Sequence, residues 1–168
     1  MTAPRGTPRA VVVSLVLAAC LLASCASSGS PSGDVRQGMS VDDVMTRWGQ
    51  PHAVYQLAAG QRMFYRPFPW QVKSLQFDAE GRLTQIEEQV LTSGHLGRIV
   101  AGRWRAADVQ QTFGPPARRK ADAEQGSVWL YFFREYGAHR LARIHLDKTG
   151  MVVRVELVDD PAADDSYL

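Results

Sequence analysis

The sequence predicts an α+β protein of two tandem repeats, each a short helix packed on an antiparallel β-meander. Three observations carry that prediction. Residues 40–48 read as a capped amphipathic helix stopped by Gly49 and Pro51. The same pattern returns 65 positions later, where Asp108, Val109, Phe113, Gly114 and Pro116 match Asp43, Val44, Trp48, Gly49 and Pro51. After each helix the periodicity changes to short alternating runs separated by glycine-containing turns.

In the first helix, Ser40 is placed to cap the N-terminus and Asp43 to complete a capping box. Asp42 and Asp43 put negative charge at the positive end of the helix dipole. Val41, Val44, Met45 and Trp48 fall on one apolar face. Residues 53–57 and 62–66 then form a predicted hairpin around Ala59-Gly60, and Pro67-Phe68-Pro69-Trp70 breaks it. Strands are predicted at 71–78 and 82–90 around Ala79-Glu80-Gly81. The joining stretch, 92–102, carries Gly94, Gly97 and Gly102, and a second short helix is expected around Leu96, Ile99 and Val100.

The second unit opens with the helix at 105–113. A weak basic strand at 117–123 follows, then strands at 127–134, 140–147 and 151–158. In the third of these, Leu141, Arg143 and His145 share one face and Ala142, Ile144 and Leu146 the other. A helix with one apolar stripe beside a sheet with one apolar face implies that the helix covers the sheet.

The N-terminus has a different character. Arg5 and Arg9 precede an uncharged apolar run, residues 10–22, and Leu22-Ala23-Ser24-Cys25 has the form of a lipobox. Leu17-Ala18-Ala19-Cys20 also fits, but cleavage there would leave Leu21-Leu22 on the mature chain. The expected organisation is a signal peptide at 1–24, a lipidated tether at 25–37, repeat 1 at 38–91, linker and repeat 2 at 92–160, and a disordered acidic tail at 161–168. Acylation of Cys25 would anchor the chain, each buried methylene contributing about 0.8 kcal/mol. Ala26, rather than Asp, resembles the sorting signal for the outer membrane. With Cys25 acylated, the mature domain has no thiol for a disulfide, a nucleophile or a metal.

The full chain carries 19 basic and 17 acidic residues, and loss of Arg5 and Arg9 brings these level. That balance argues against a nucleic-acid binder. His52, His95, His139 and His145 have no metal-ligand spacing, and Glu87-Glu88 and Asp159-Asp160 are strand neighbours that point apart. Nucleophile elbow and phosphate loop are both absent. No catalytic residue, metal or cofactor is therefore expected, and the chain reads as a non-enzyme. The candidate partner-binding residues are Phe68 and Trp70 on the proline-flanked loop, Trp104, and Arg118 and Arg119 in the basic strand. Solvated edge protection is the competing reading of the arginines, core closure that of Trp104, and burial against the helix that of Phe68 and Trp70.

Gly38-Met39-Ser40, Val44, Trp48-Gly49-Gln50-Pro51, Tyr65 and Phe77-Asp78-Ala79-Glu80-Gly81-Arg82-Leu83 resemble the SmpA/OmlA (BamE-like) family of outer-membrane lipoproteins. The likeness covers residues 38–90 well and the second unit more loosely. That family has one such module where this chain has two, and only Arg36-Gln37-Gly38 stands where the family has a longer polar stretch. The tandem arrangement is similar to the β-lactamase inhibitor proteins, whose two helix-plus-sheet units form one concave surface. The resemblance implies an outer-membrane lipoprotein facing the periplasm. It would act by protein binding as an accessory to β-barrel assembly or envelope integrity, with barrel-assembly proteins as partners. The alternative is an inhibitor or sensor that captures a soluble envelope enzyme or ligand on a concave sheet face.

Overall fold

The computed structural model describes residues 34–122 and 126–160. The signal peptide, Cys25, most of the tether and the acidic tail lie outside these residues. The fold is mixed α+β with two four-stranded antiparallel sheets, ordered β1-β2-β3-β4 and β5-β6-β7-β8.

The first half begins with α1 (Val41–Trp48), continues through β1 (Ala53–Leu57), β2 (Gly60–Phe68) and β3 (Gln71–Phe77), and ends with β4 (Leu83–Glu87). A connecting turn, α2 (Ser93–Leu96), leads to α3 (Ala106–Phe113). The second sheet is β5 (Arg118–Asp122), β6 (Gly126–Glu135), β7 (Ala138–Leu146) and β8 (Val152–Asp159). Three expected boundaries shift. Strand β2 runs through Pro67 to Phe68 because its register slips between Tyr65 and Phe68, so the proline needs no ladder N–H. Strand β4 stops at Glu87, although Val90 N–H still donates to Val72 C=O at 2.9 Å. Helix α2 begins at Ser93, where Thr92 caps it by accepting from His95 N–H.

Two apolar clusters hold the layers together. Val44 and Trp48 of α1 join Met63, Tyr65, Leu75, Phe77 and Leu83 of the first sheet. The larger cluster unites the two halves. Phe64 and Val72, on the other face of the first sheet, meet Val109 and Phe113 of α3 together with Trp129, Tyr131, Phe133, Ala142 and Ile144 of the second sheet. The layer order is thus α1, first sheet, α3, second sheet. Polar contacts fix the middle of the stack. Tyr55 hydroxyl donates to Gln110 Oε1 at 3.1 Å, Arg62 to Gln111 C=O at 3.0 Å, and Arg66 to Pro115 C=O at 2.7 Å.

The halves share a set of local contacts. Tyr65 hydroxyl donates to Gly49 C=O at 3.1 Å, and Tyr131 hydroxyl to Gly114 C=O at 3.0 Å. Both helix-ending glycines have φ near +76°, which favours glycine. Val41 N–H donates to Gly81 C=O, and Ala106 N–H to Gly150 C=O. Asp78 and Asp147 each accept the N–H four residues on, closing the same turn. The N-caps differ. Ser40 and Asp43 make both halves of a capping box. At α3 the Arg105 N–H donates to Asp108 at 2.7 Å, but an arginine side chain has no acceptor to return.

Candidate functional site: the far face of the second sheet

Each sheet has a near face toward the helix that precedes it and a far face. Strand register makes these faces comparable. Phe64 pairs with Ala53 and Ser74, and Ser74 with Glu87. In the second sheet the matching rung is Arg118, Leu130, Arg143 and Glu156. The next rung is Lys120, Val128, His145 and Arg154, and on the other side lies Phe132, Leu141 and Val158. The first far face is the one α3 packs against. The second far face receives no helix among the described residues, where none of its apolar side chains joins either cluster.

The chemistry of the open face follows from its rungs. Leu130 and Leu141 are buried, the first between Arg118 and Arg143 and the second between Phe132 and Val158. Arg118 lies over the Phe132 ring at 5.8 Å. Glu156 faces three cation-forming groups, with Arg154 at 3.0 Å, His145 at 3.5 Å and Arg143 at 3.7 Å. Desolvation pushes the Glu156 carboxyl up, but its bond to His145 and the charges of Arg154, His145 and Arg143 outweigh that and hold it below the ordinary value. Two rungs therefore carry Arg118, Lys120, Arg143 and Arg154 against one carboxylate, beside an apolar third rung.

The sequence candidates divide between this face and the core. Arg118 belongs to the open face, whereas Arg119 projects to the opposite side and lies over Trp129 at 4.7 Å. Trp104 stacks on Phe113 at 6.1 Å and packs against the larger cluster, the setting of a residue closing the core at a helix start. Phe68 is 53% exposed and stacks on Trp70, ring centroids 5.5 Å apart. Trp70 sets its edge against His139 at the start of β7, so this pair stands at a corner of the second sheet. The corner lies far from the incoming chain, which enters at the other end of the first sheet through Gly38 N–H to Leu83 C=O.

Several other titratable groups have structural partners. His95 contacts Val90 C=O and Glu87, while Glu88 pairs with Lys73 at 2.6 Å. Burial, aided by Arg66, lowers the pKa of His52. Among the described residues, no group of three or more His, Cys, Asp or Glu is placed to hold a metal. In the same residues, no helix is long and apolar enough to cross a membrane. Arg143, Arg154 and Glu156 were not candidates from sequence, although the alternation that set Arg143 and His145 on one face was the signal for them. Compared with family models, curated proteins and solved structures, the chain matches none.

Proposed function

We propose that this chain is a lipid-anchored binding protein of the outer membrane, without catalytic activity. Cys25 carries the acyl anchor, and two helix-on-meander modules similar to the SmpA/OmlA family face the periplasm. Its work is to dock on a partner as an accessory to β-barrel assembly or envelope integrity. The observation that supports the docking part of this reading is the far face of the second sheet, where Arg118, Lys120, Arg143 and Arg154 stand beside the apolar rung Phe132, Leu141 and Val158. The anchor concentrates the domain at the membrane, which strengthens docking without any new contact. The distal position of Phe68 and Trp70 relative to the tether suits a partner reached away from the bilayer.

The test is affinity purification of the lipidated full chain from detergent extracts, with mass spectrometry of partners and of Cys25. Barrel-assembly proteins and an acylated Cys25 are expected. A soluble periplasmic hydrolase as the dominant partner would replace the accessory role with an inhibitory one. An unacylated Cys25 would overturn the location.

A further inference from the structure

We propose that the open face of the second sheet binds a short acidic segment of a partner protein. Carboxylates would lie over Arg118, Lys120, Arg143 and Arg154, and one apolar side chain over Phe132 and Val158. This deepens the binding-protein reading and rests on it.

The argument starts from the matched face in the first half. There Ala53, Tyr55, Ser74 and Gln76 occupy the positions that Arg118, Lys120, Arg143 and His145 take in the second. The first set is small or uncharged and receives α3, with Tyr55, Arg62 and Arg66 bonded to that helix and the loop after it. The second set is cationic. An end face needing only solubility is served by mixed charges. Its two central rungs have four lysines and arginines to one glutamate, with Asp122 and Arg134 at their margins, an imbalance that calls for an anionic occupant.

The spacing specifies the occupant further. Neighbouring strands are about 4.8 Å apart, and same-face residues along a strand about 6.7 Å apart. The cationic rungs thus form a field roughly 15 Å by 7 Å, room for two or three carboxylates in an extended or helical segment. Guanidinium groups bind carboxylates through paired hydrogen bonds, and the adjoining apolar rung offers a seat for one side chain. A bilayer fits less well. Glu156 stands among the cations, only 3.0 Å from Arg154, and would repel a uniformly anionic surface. It leaves discrete cationic positions instead.

The experiment measures fluorescence anisotropy of the full chain in detergent with a fluorescein-labelled peptide of four acidic residues followed by Phe. The Asn/Gln counterpart of that peptide and phosphatidylglycerol vesicles serve as comparisons. The acidic peptide is expected to bind at least tenfold more tightly than its amide counterpart, and more weakly as salt rises. Arg143→Glu with Arg154→Glu should weaken binding at least tenfold. The exposed edge pair Arg118→Glu with Lys120→Glu provides the same reading if the first variant fails to fold. Arg119→Glu, on the opposite face, should change affinity less than twofold. Equal binding of both peptides, equal loss in Arg119→Glu, or vesicle binding without peptide binding would overturn the proposal. Binding that appears only after removal of residues 161–168 would assign the face to the chain's own acidic tail and also overturn it. If a purified partner is still captured by the charge-reversal variants, this inference fails while the binding-protein reading stands.

Discussion

The two sheets have the same order and much the same turns, yet their far faces have opposite fates. The first carries Arg62, Arg66 and Glu87 among uncharged residues and lies beneath α3, its arginines bonded to that helix and the loop after it; the second gathers four lysines and arginines around one glutamate and receives no helix among the described residues. Phe64 and Leu130 occupy matching positions, and Gly114 shows how tight the closed face is, since a Cβ there would come within 3.0 Å of the Phe64 ring. The chain uses one such face to join its two halves, and no described helix packs on the other. Two halves with like turns and like helix-ending glycines have different surroundings, and residues at matched positions that face different neighbours differ in chemistry.

The sharpest way to break this comparison is truncation at the matched positions. Phe64→Ala should cost about 3–5 kcal/mol, because its cavity opens in the cluster joining both halves. Leu130→Ala should cost less than half as much. Urea denaturation monitored by tryptophan fluorescence measures both, and equal costs would mean that the second far face is covered as well. The hydroxyl pair comes next. Tyr131→Phe strands a Gly114 carbonyl in a fully buried setting and should cost about 1–3 kcal/mol, with Tyr65→Phe at the lower end. Burial pushes Tyr65 up to about 12 and Tyr131 up further. Raised tyrosine pKa values mean that the folded state holds protons the unfolded chain releases, so stability should fall as pH rises above about 10.

Smaller effects test the helix starts. Ser40→Ala should cost about 1 kcal/mol, whereas Arg105→Ser should gain about 0.5–1 kcal/mol by completing the missing half of the cap. Thermal unfolding resolves both. The smallest effect is acidic. Hydrogen bonds from Ser40 lower the pKa of Asp43, and those from Thr149 and Met151 that of Asp147. A lowered carboxyl pKa contributes stability above the unfolded value of about 4, lost as pH falls through the folded value. Ser40→Ala should therefore flatten the acid limb of a stability–pH curve.

Much of this architecture was legible because it is local. The glycine-proline stops, the alternation of residues 140–147 and the turn glycines mark elements whose residues are close in sequence. Boundaries were lost where tertiary contacts decide them: the bulge carrying β2 past Pro67, and Gln89, whose side chain takes over the bond to Val72 N–H after β4 stops. The site was only half legible. Alternation separates Arg143 from Ile144, but no pattern in the chain says which face the next helix will cover. Trp104 and Phe68 looked alike as aromatics near arginine or proline. Phe113 takes one as a stacking partner in the core, and the other is left on a loop.

The central claim is that one far face is taken and its counterpart is free, and thiol labelling at matched positions tests it most directly. In a background with Cys20→Ser and Cys25→Ser, Ser74→Cys and Arg143→Cys introduce single reactive thiols on the two faces. Ser74 is 6% exposed, while the Arg143 side chain is 38% exposed. In the purified folded chain Arg143→Cys should label at least a hundredfold faster than Ser74→Cys. Equal protection of both thiols in the purified chain would contradict the account.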